Sequence, residues 1–306
     1  MRRAFVAALT TLAETDDRIL LLTADLGFSV LESFAEKFPD RFFNVGVAEQ
    51  NMVGLATGFA EAGYIPFLYS IATFLTLRPY EQFRNGAIYH RLPVRLVGIG
   101  GGFEYGHDGI THFALEDFGI MRVQPGVTVL APADPAQAVT MLRKTYQLHA
   151  PIYYRIGKDD NTIVPGLNGQ FSLGTVDVVR EGHDLLILSV GNVSSEAVAA
   201  ADILSGEMHT STAVGVVATL NPAPVDALES LLHRFSQVVT LESHYRNGGL
   251  GSLVAEVIAD GGIPCRLKRL GVDTMPAGRT GSETFMNTTH GLTRQAIVQT
   301  VLQMMR

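Results

Sequence analysis

What most limits the fold of this chain is a rhythm. Short apolar runs rich in β-branched and aromatic residues alternate with helical patterns, from Ile19-Leu20-Leu21-Leu22-Thr23 through Ile152-Tyr153-Tyr154-Arg155-Ile156. Such alternation is the signature of a parallel sheet flanked by helices. A stretch with Asp159, Asp160, Asn161, Pro165, Gly166, Asn168 and Gly169 interrupts it, and the alternation restarts near Leu185-Leu186-Ile187-Leu188-Ser189. The expected fold is therefore α/β with two domains, residues 1–157 and 175–306, joined by a linker at 158–174. Each domain is expected to be an open, mostly parallel sheet covered by helices.

The balance of residues agrees. The 306 residues are 47% hydrophobic and 17% charged, enough apolar material for two cores or a large subunit interface. A net charge of −7 disfavours nucleic acid or an anionic membrane as partner. The single cysteine, Cys265, excludes an internal disulfide and reads as an ordinary strand residue. Met1-Arg2-Arg3 followed by Ala4 to Leu9 imitates a short leader. Phe5, Leu9 and Leu12, however, fall at helical spacing, and Glu14, Asp16 and Asp17 end the run, so an amphipathic helix and a cytoplasmic protein are expected. No apolar run reaches bilayer-spanning length. Gly54 and Gly58 form a small pair one helical turn apart, which suggests close packing in a core or interface.

In open α/β sheets ligands gather beyond the carboxyl ends of strands, and several polar groups stand at such places. Asp25 follows the first strand. Glu49 follows Phe42-Phe43-Asn44-Val45-Gly46, where a helix with almost no polar surface begins. On residues alone two readings of Glu49 stay open. It is a helix-start acid stabilised by the dipole at about 0.3–1 kcal/mol, or a carboxylate whose apolar surroundings demand a partner or a task. Phe74 and Tyr80 stand six apart in the next segment, as core residues or as a ring pocket. The run Gly100-Gly101-Gly102 does not complete a dinucleotide fingerprint. His107, Asp108 and His112 share a glycine-rich loop that suits a hydroxyl-rich ligand better than a metal, since nothing nearby sets tetrahedral ligand spacing. Asp134-Pro135 is a helix start, and Arg155 closes a buried strand.

Gly46-Val47-Ala48-Glu49-Gln50-Asn51 resembles the cofactor-activating segment of the thiamine-diphosphate enzymes of the transketolase group, and Gly106-His107-Asp108-Gly109-Ile110-Thr111-His112 resembles their substrate loop. The stretch Thr23 to Ser29, and the later Glu242-Ser243-His244 and Gly248-Gly249-Leu250-Gly251, are similar to the same family. The likeness covers essentially the whole chain, but only the pyrimidine-binding and C-terminal domains of a transketolase. It implies that Glu49 meets the aminopyrimidine of thiamine diphosphate, with Phe74, Leu77 and Tyr80 around the ring and Asp25 bordering the cofactor. Leu77 stands where many transketolases have phenylalanine. Asp108 and His112 would read donor hydroxyls, while Arg155, Arg2 and Ser29 would hold a substrate phosphate. Gly100 stands where the family usually places a histidine of that phosphate clamp. The C-terminal domain is assigned no chemistry.

The family's Gly-Asp-Gly metal motif does not occur, since Asp108-Gly109 follows His107. The resemblance thus implies a split transketolase, in which a second polypeptide carries the diphosphate-binding domain and holds Mg2+ or Ca2+. Two copies of each chain would form a heterotetramer, and this chain itself would hold no metal. The implied reaction transfers a two-carbon ketol unit from a ketose, expected to be a sugar phosphate, to an aldose acceptor in carbohydrate metabolism. The rivals are the β subunit of a 2-oxo-acid dehydrogenase, a deoxyxylulose-phosphate synthase-like reaction, and a catalytically silent assembly subunit.

Overall fold

A computed structural model describes residues 1–305; Arg306, the last residue expected in the second domain, lies outside them. The first sheet is built from β1 (Ile19–Thr23), β2 (Phe42–Asn44), β3 (Ile65–Ile71), β4 (Arg95–Ile99), β5 (Thr128–Leu130) and β6 (Ile152–Ile156). The second is built from β7 (Asp177–Arg180), β8 (Leu185–Ser189), β9 (Thr212–Val216), β11 (Gln237–Tyr245) and β12 (Arg266–Val272). Between β9 and β11 lies a short strand, β10 (Thr219–Asn221). Every residue of β1, β3, β4, β6 and β8 is buried, because helices cover both faces. That is why these strands read as continuous apolar runs rather than as alternating ones.

The helices of the first half are α1 (Arg2–Ala13), α2 (Glu32–Lys37), α3 (Glu49–Glu61), α4 (Ala72–Leu77), α5 (Tyr80–Phe83), α6 (Asp117–Arg122) and α7 (Pro135–Thr145). Those of the second are α8 (Ser194–Met208), α9 (Val225–Leu232), α10 (Leu250–Gly261), α11 (Glu283–Thr289) and α12 (Arg294–Met305). The opening segment is the amphipathic helix expected, burying Phe5, Val6, Ala8, Leu9 and Ala13. At α7 the Asp134 side chain accepts from the Gln137 amide at 2.8 Å, with Pro135 at the first helical position. No described helix is long and apolar enough to cross a membrane. Cys265 stands just before β12 rather than within a strand.

Strand order in the first sheet is β10-β5-β6-β4-β3-β1-β2. Its parallel strands come from the first half, but β10 comes from the second and pairs antiparallel with β5. Residues 158–174 carry no helix or strand, and beyond them the chain returns to complete the first sheet. The second sheet runs β12-β11-β8-β9-β7, parallel except where β7 meets β9.

A buried polar seam joins the halves. Arg155 Nε lies 3.0 Å from Asp117 Oδ2, and Arg155 Nη2 donates to the carbonyls of Ala114 at 2.6 Å and Ser243 at 2.9 Å. The Tyr153 hydroxyl donates to the same Asp117 at 2.6 Å. Glu242 accepts the Leu250 and Gly251 amides at 2.7 and 2.8 Å, at the start of α10. His244 donates through Nδ1 to the Tyr245 carbonyl at 2.6 Å and accepts the Gly119 amide through Nε2 at 3.3 Å. Those partners fix its neutral tautomer. Burial pushes Glu242 up to about 7 and His244 down to about 4.

Candidate functional site

The order β4-β3-β1-β2 lines up four parallel strands whose carboxyl ends open on one face. After β2 the chain turns at Gly46, whose φ of 73° lies in the left-handed region that glycine tolerates without a Cβ clash. Glu49 then opens α3. Its carboxylate is 3% exposed, and the cost of burying it is met by Arg78, whose Nη1 bridges both oxygens at 2.8 and 2.9 Å. Arg78, just past the end of α4, is itself 42% exposed, so the pair is closed below and open above.

From this pair a row of rings runs along the face. The Arg78 guanidinium carbon lies 3.8 Å from the centroid of Phe74. Phe74 meets His112 edge-on with centroids 4.9 Å apart, and His112 lies 6.1 Å from Tyr105. Lys158 Nζ sits 4.3 Å from the Tyr105 centroid. Thr111 Oγ1 holds His112 Nδ1 at 2.9 Å. Segments after β3, β4 and β6, separate in sequence, thus form one continuous wall.

The other expected residues take distinct places. Asp25, with φ of 57°, is clasped by Asn44. The Asp25 amide donates to Asn44 Oδ1 at 3.1 Å, and Asn44 Nδ2 returns a bond to Asp25 Oδ1 at 3.0 Å. Asn44 Oδ1 also accepts the Gly46 amide at 3.0 Å, tying Asp25 to the turn that delivers Glu49. Ser29 stands at φ 64° with its amide bonded to Glu32 Oε1 at 2.6 Å. Asp108 is exposed in the loop that carries His112, within the turn Gly106–Asp108. Leu77 is exposed beside Arg78 in sequence. The Tyr80 hydroxyl is occupied by the Ile120 carbonyl at 3.0 Å and by Gln124, so only its ring remains to offer a ligand.

Arg2 lines a small pocket with Glu104, Lys158, Asp159 and Glu283, at the Tyr105 end of the row. Arg155 does not line that pocket itself. Its guanidinium, 6% exposed, holds Asp117 and two carbonyls in the seam and lines an adjoining cleft that shares Glu104. Lys158 lines the Arg2 pocket. It stands two residues beyond the end of β6, where ligands of parallel sheets gather, and that placement was the signal available for it. Arg78 was the other residue missed, although a lone acid in an apolar stretch calls for a cation. Gly100 also finds its reason here. With φ of 79°, a Cβ on it would lie 2.1 Å from the Tyr105 ring, which fills the space a side chain would need.

Large apolar side chains surround the open face. Phe28 follows β1, Val47 follows β2, Leu77 follows β3 and Ile110 follows β4, and all are exposed, Phe28 and Val47 by 77% and 73%. Leu55 is exposed on α3, where Gly54 and Gly58 have open space around them. The close packing expected of that glycine pair is therefore not made within the chain.

Residues 1–162 match the family model of the transketolase pyrimidine binding domain, and residues 174–297 that of the transketolase C-terminal domain. A putative transketolase C-terminal section of Methanocaldococcus jannaschii is 34% identical, the alignment covering 100% of this chain and 96% of that one. A 6-deoxy-6-sulfo-D-fructose transketolase subunit of Clostridium sp. (strain MSTE9) is 35% identical over 98% of this chain and 92% of its own length. A 1-deoxy-D-xylulose-5-phosphate synthase of Syntrophotalea carbinolica is 36% identical over 88% of this chain, which spans only 42% of that enzyme. A solved structure described as a split gene transketolase, inactive beta4 tetramer, superimposes with a TM-score of 0.90 at 34% identity, covering 99% of this chain and 97% of that one. The chain belongs to the transketolase family, of which it carries the pyrimidine-binding and C-terminal domains.

Proposed function

We propose that this chain is one half of a split transketolase that moves a two-carbon ketol unit from a ketose to an aldose acceptor. The observation that carries the reading is the buried Glu49 carboxylate, whose partner Arg78 is partly exposed and lies over the ring of Phe74. A buried carboxylate with an aromatic ring one side chain away is the kind of group set that an aminopyrimidine requires, so the residues present fit that half of thiamine diphosphate. When bound, the cofactor supplies the electron sink that lets the bond beside a ketone break. Glu49 holds a proton at a ring nitrogen, which requires Arg78 to give up at least one carboxylate oxygen. Phe74, Leu77 and Tyr80 supply ring contacts, and Asp25 borders them. Asp108 and His112 orient the hydroxyls of the donor. Arg2 lies toward the substrate's far end.

Neither the sequence motif nor, among the described residues, a group of three or more His, Cys, Asp or Glu placed to hold a metal ion provides for the diphosphate half. The reading assigns that half, with its Mg2+ or Ca2+, to a second chain. Such a chain would cover the exposed Phe28, Val47, Leu77 and Ile110, and two copies of each would make the working assembly. The test is Glu49→Gln in the assembled complex. Turnover of a ketose donor is expected to fall about 10²–10⁴-fold, the usual contribution of a positioned acid or base, with the complex still assembled. A variant complex running near the original rate would remove Glu49 from the mechanism and overturn the reading.

A further inference from the structure

We propose that the second domain positions the loop of residues 102–114, which carries Asp108 and His112, through the backbone of Gly281 and the ring of His290. Donor recognition then depends on a domain to which no chemistry is assigned. This deepens the split-transketolase reading and rests on it for the ligand; the anchoring of the loop does not.

The loop leaves β4 and is closed at its base by a two-residue bridge. The Gly102 amide donates to the Ala114 carbonyl at 2.9 Å, and the Ala114 amide returns a bond at 3.1 Å. Its apolar anchors enter the core of the second domain. Phe103, Phe113 and Leu115 are buried in one cluster with Val193, Val214 and Leu241. Phe103 meets Phe113 edge-on with centroids 5.1 Å apart. It also lies flat against His290, just past α11, at 5.0 Å. From β11, the Tyr245 amide donates to the Leu115 carbonyl at 2.7 Å. A Cβ on Gly102 would lie 2.0 Å from Ser243 Oγ, so the same strand presses on the base of the loop.

The tip is held as closely. The Gly281 amide donates to the Gly106 carbonyl at 3.1 Å, and a Cβ on Gly106 would lie 2.3 Å from the Gly281 carbonyl oxygen. Gly106 is not in the left-handed region, so the neighbour demands glycine there and the local backbone does not. Gly281 is itself tied down. Ser282 beside it caps α11 by accepting the Phe285 amide at 3.1 Å, and Met286 buries that helix in the second domain's core. Beyond the clasped turn the Asp108 amide donates to the Tyr105 carbonyl and the His112 amide to the Gly109 carbonyl, both at 2.9 Å. His112 then reaches the ring of Phe74 in the first domain.

The loop thus runs from anchors in one domain to the ring wall of the other, and its polar groups are placed by both. Ordinary contact with the Gly281 oxygen begins at 3.4 Å, so a methyl group on Gly106 would part the two turns by about 1 Å. A misplacement of that size costs up to about 10²-fold where groups must meet a substrate in register.

The experiment uses this chain assembled with a chain carrying the diphosphate-binding domain. Gly106→Ala is expected to lower kcat/KM for a ketose donor by about 10- to 100-fold, with the loss in KM. Thiamine diphosphate affinity, read by calorimetric titration of the same complex, should not change. His290→Ala should lower kcat/KM in the same sense by about twofold to tenfold, the worth of one ring contact, and His290→Phe, which keeps a ring on Phe103, should restore it. In the full chain by itself, native-state hydrogen exchange at the Asp108 and His112 amides should be faster in Gly106→Ala and His290→Ala than in the unaltered protein. An unchanged donor KM in Gly106→Ala overturns the proposal. So does a His290→Phe complex no better than His290→Ala, or a cofactor affinity that falls as far as donor recognition. Turnover of no ketose by the unaltered complex would defeat the transketolase reading instead. The exchange rates still decide the positioning in that case, and rates equal to those of the unaltered chain overturn it.

Discussion

The molecule contains two arginine–carboxylate pairs that look alike in a contact map and differ in what surrounds them. In the seam, Asp117 is 1% and Arg155 6% exposed, and the remaining capacity of the arginine goes to two carbonyls and to the face of Phe118 at 4.1 Å. At the open face, Glu49 is 3% exposed but Arg78 is 42% exposed, with one ring beneath it and water above. Both set a cation against a buried acid. Only the second can be dismantled without opening the core, because its cation has somewhere to go. A pair with both members buried is fixed by the packing around it, and a pair with one exposed member is a place where another molecule can take the cation's part.

The largest expected effect tests that difference directly. Arg155→Met should lower the stability of the full chain by about 3–5 kcal/mol, since it strands a carboxylate in the core. Arg78→Met should cost about 1 kcal/mol or less, because water reaches Glu49 from the side the arginine vacates. Denaturant midpoints measured on both variants check this. Equal losses would erase the distinction between a closed and an open pair.

The seam can be probed further through pH. Glu242 is raised in the folded state to about 7, so its contribution is fully present below its ordinary 4.5 and is lost as pH rises through 7. His244 is depressed to about 4, so its contribution is present above 6.5 and is lost as pH falls through 4. Between 4.5 and 6.5 the two slopes oppose each other, and the intact seam should be nearly indifferent to pH there. Glu242→Gln leaves only the histidine. Its own stability should fall on the order of 3 kcal/mol between pH 6.5 and 4, by 1.36 kcal/mol for each pH unit of the histidine's displacement, where the unaltered chain changes little. Parallel profiles for the two proteins would show that these groups do not titrate as a buried pair.

Much of this was legible before any coordinates. The apolar runs of β1, β3, β4, β6 and β8 are continuous because both faces are covered, and that continuity is visible in one dimension. Glu49 stood out because a carboxylate among apolar residues is expensive. Its partner did not, because Arg78 lies 29 residues away and only the packing of α4 against the sheet brings it back. The setting of Arg155 was hidden for a related reason. In a strand buried on both faces the sequence does not say which polar residue ends in the core, and Arg155 lies within β6 while Lys158 lies beyond it. The return of β10 was equally hidden, since three residues, Thr219-Leu220-Asn221, carry no long-range pairing signal. What a single chain spells out is burial; which buried groups meet is decided by topology.

The smallest expected effect sharpens the comparison from the open side. Leu77 is the last residue of α4, exposed next to Arg78, at the position where a phenylalanine would add a second ring beside Phe74. If the open pair belongs to a binding surface, enlarging its neighbour changes binding and leaves folding alone. Leu77→Phe should tighten thiamine diphosphate binding to the assembled complex by about twofold to tenfold, the equivalent of one added ring contact of 0.5–1.5 kcal/mol. Chain stability should stay within about 0.5 kcal/mol, as for a surface substitution away from the core. Calorimetric titration and denaturant unfolding separate the two quantities. A change in stability with no change in affinity would place Leu77, and with it the rim around Arg78, on the structural side of the comparison.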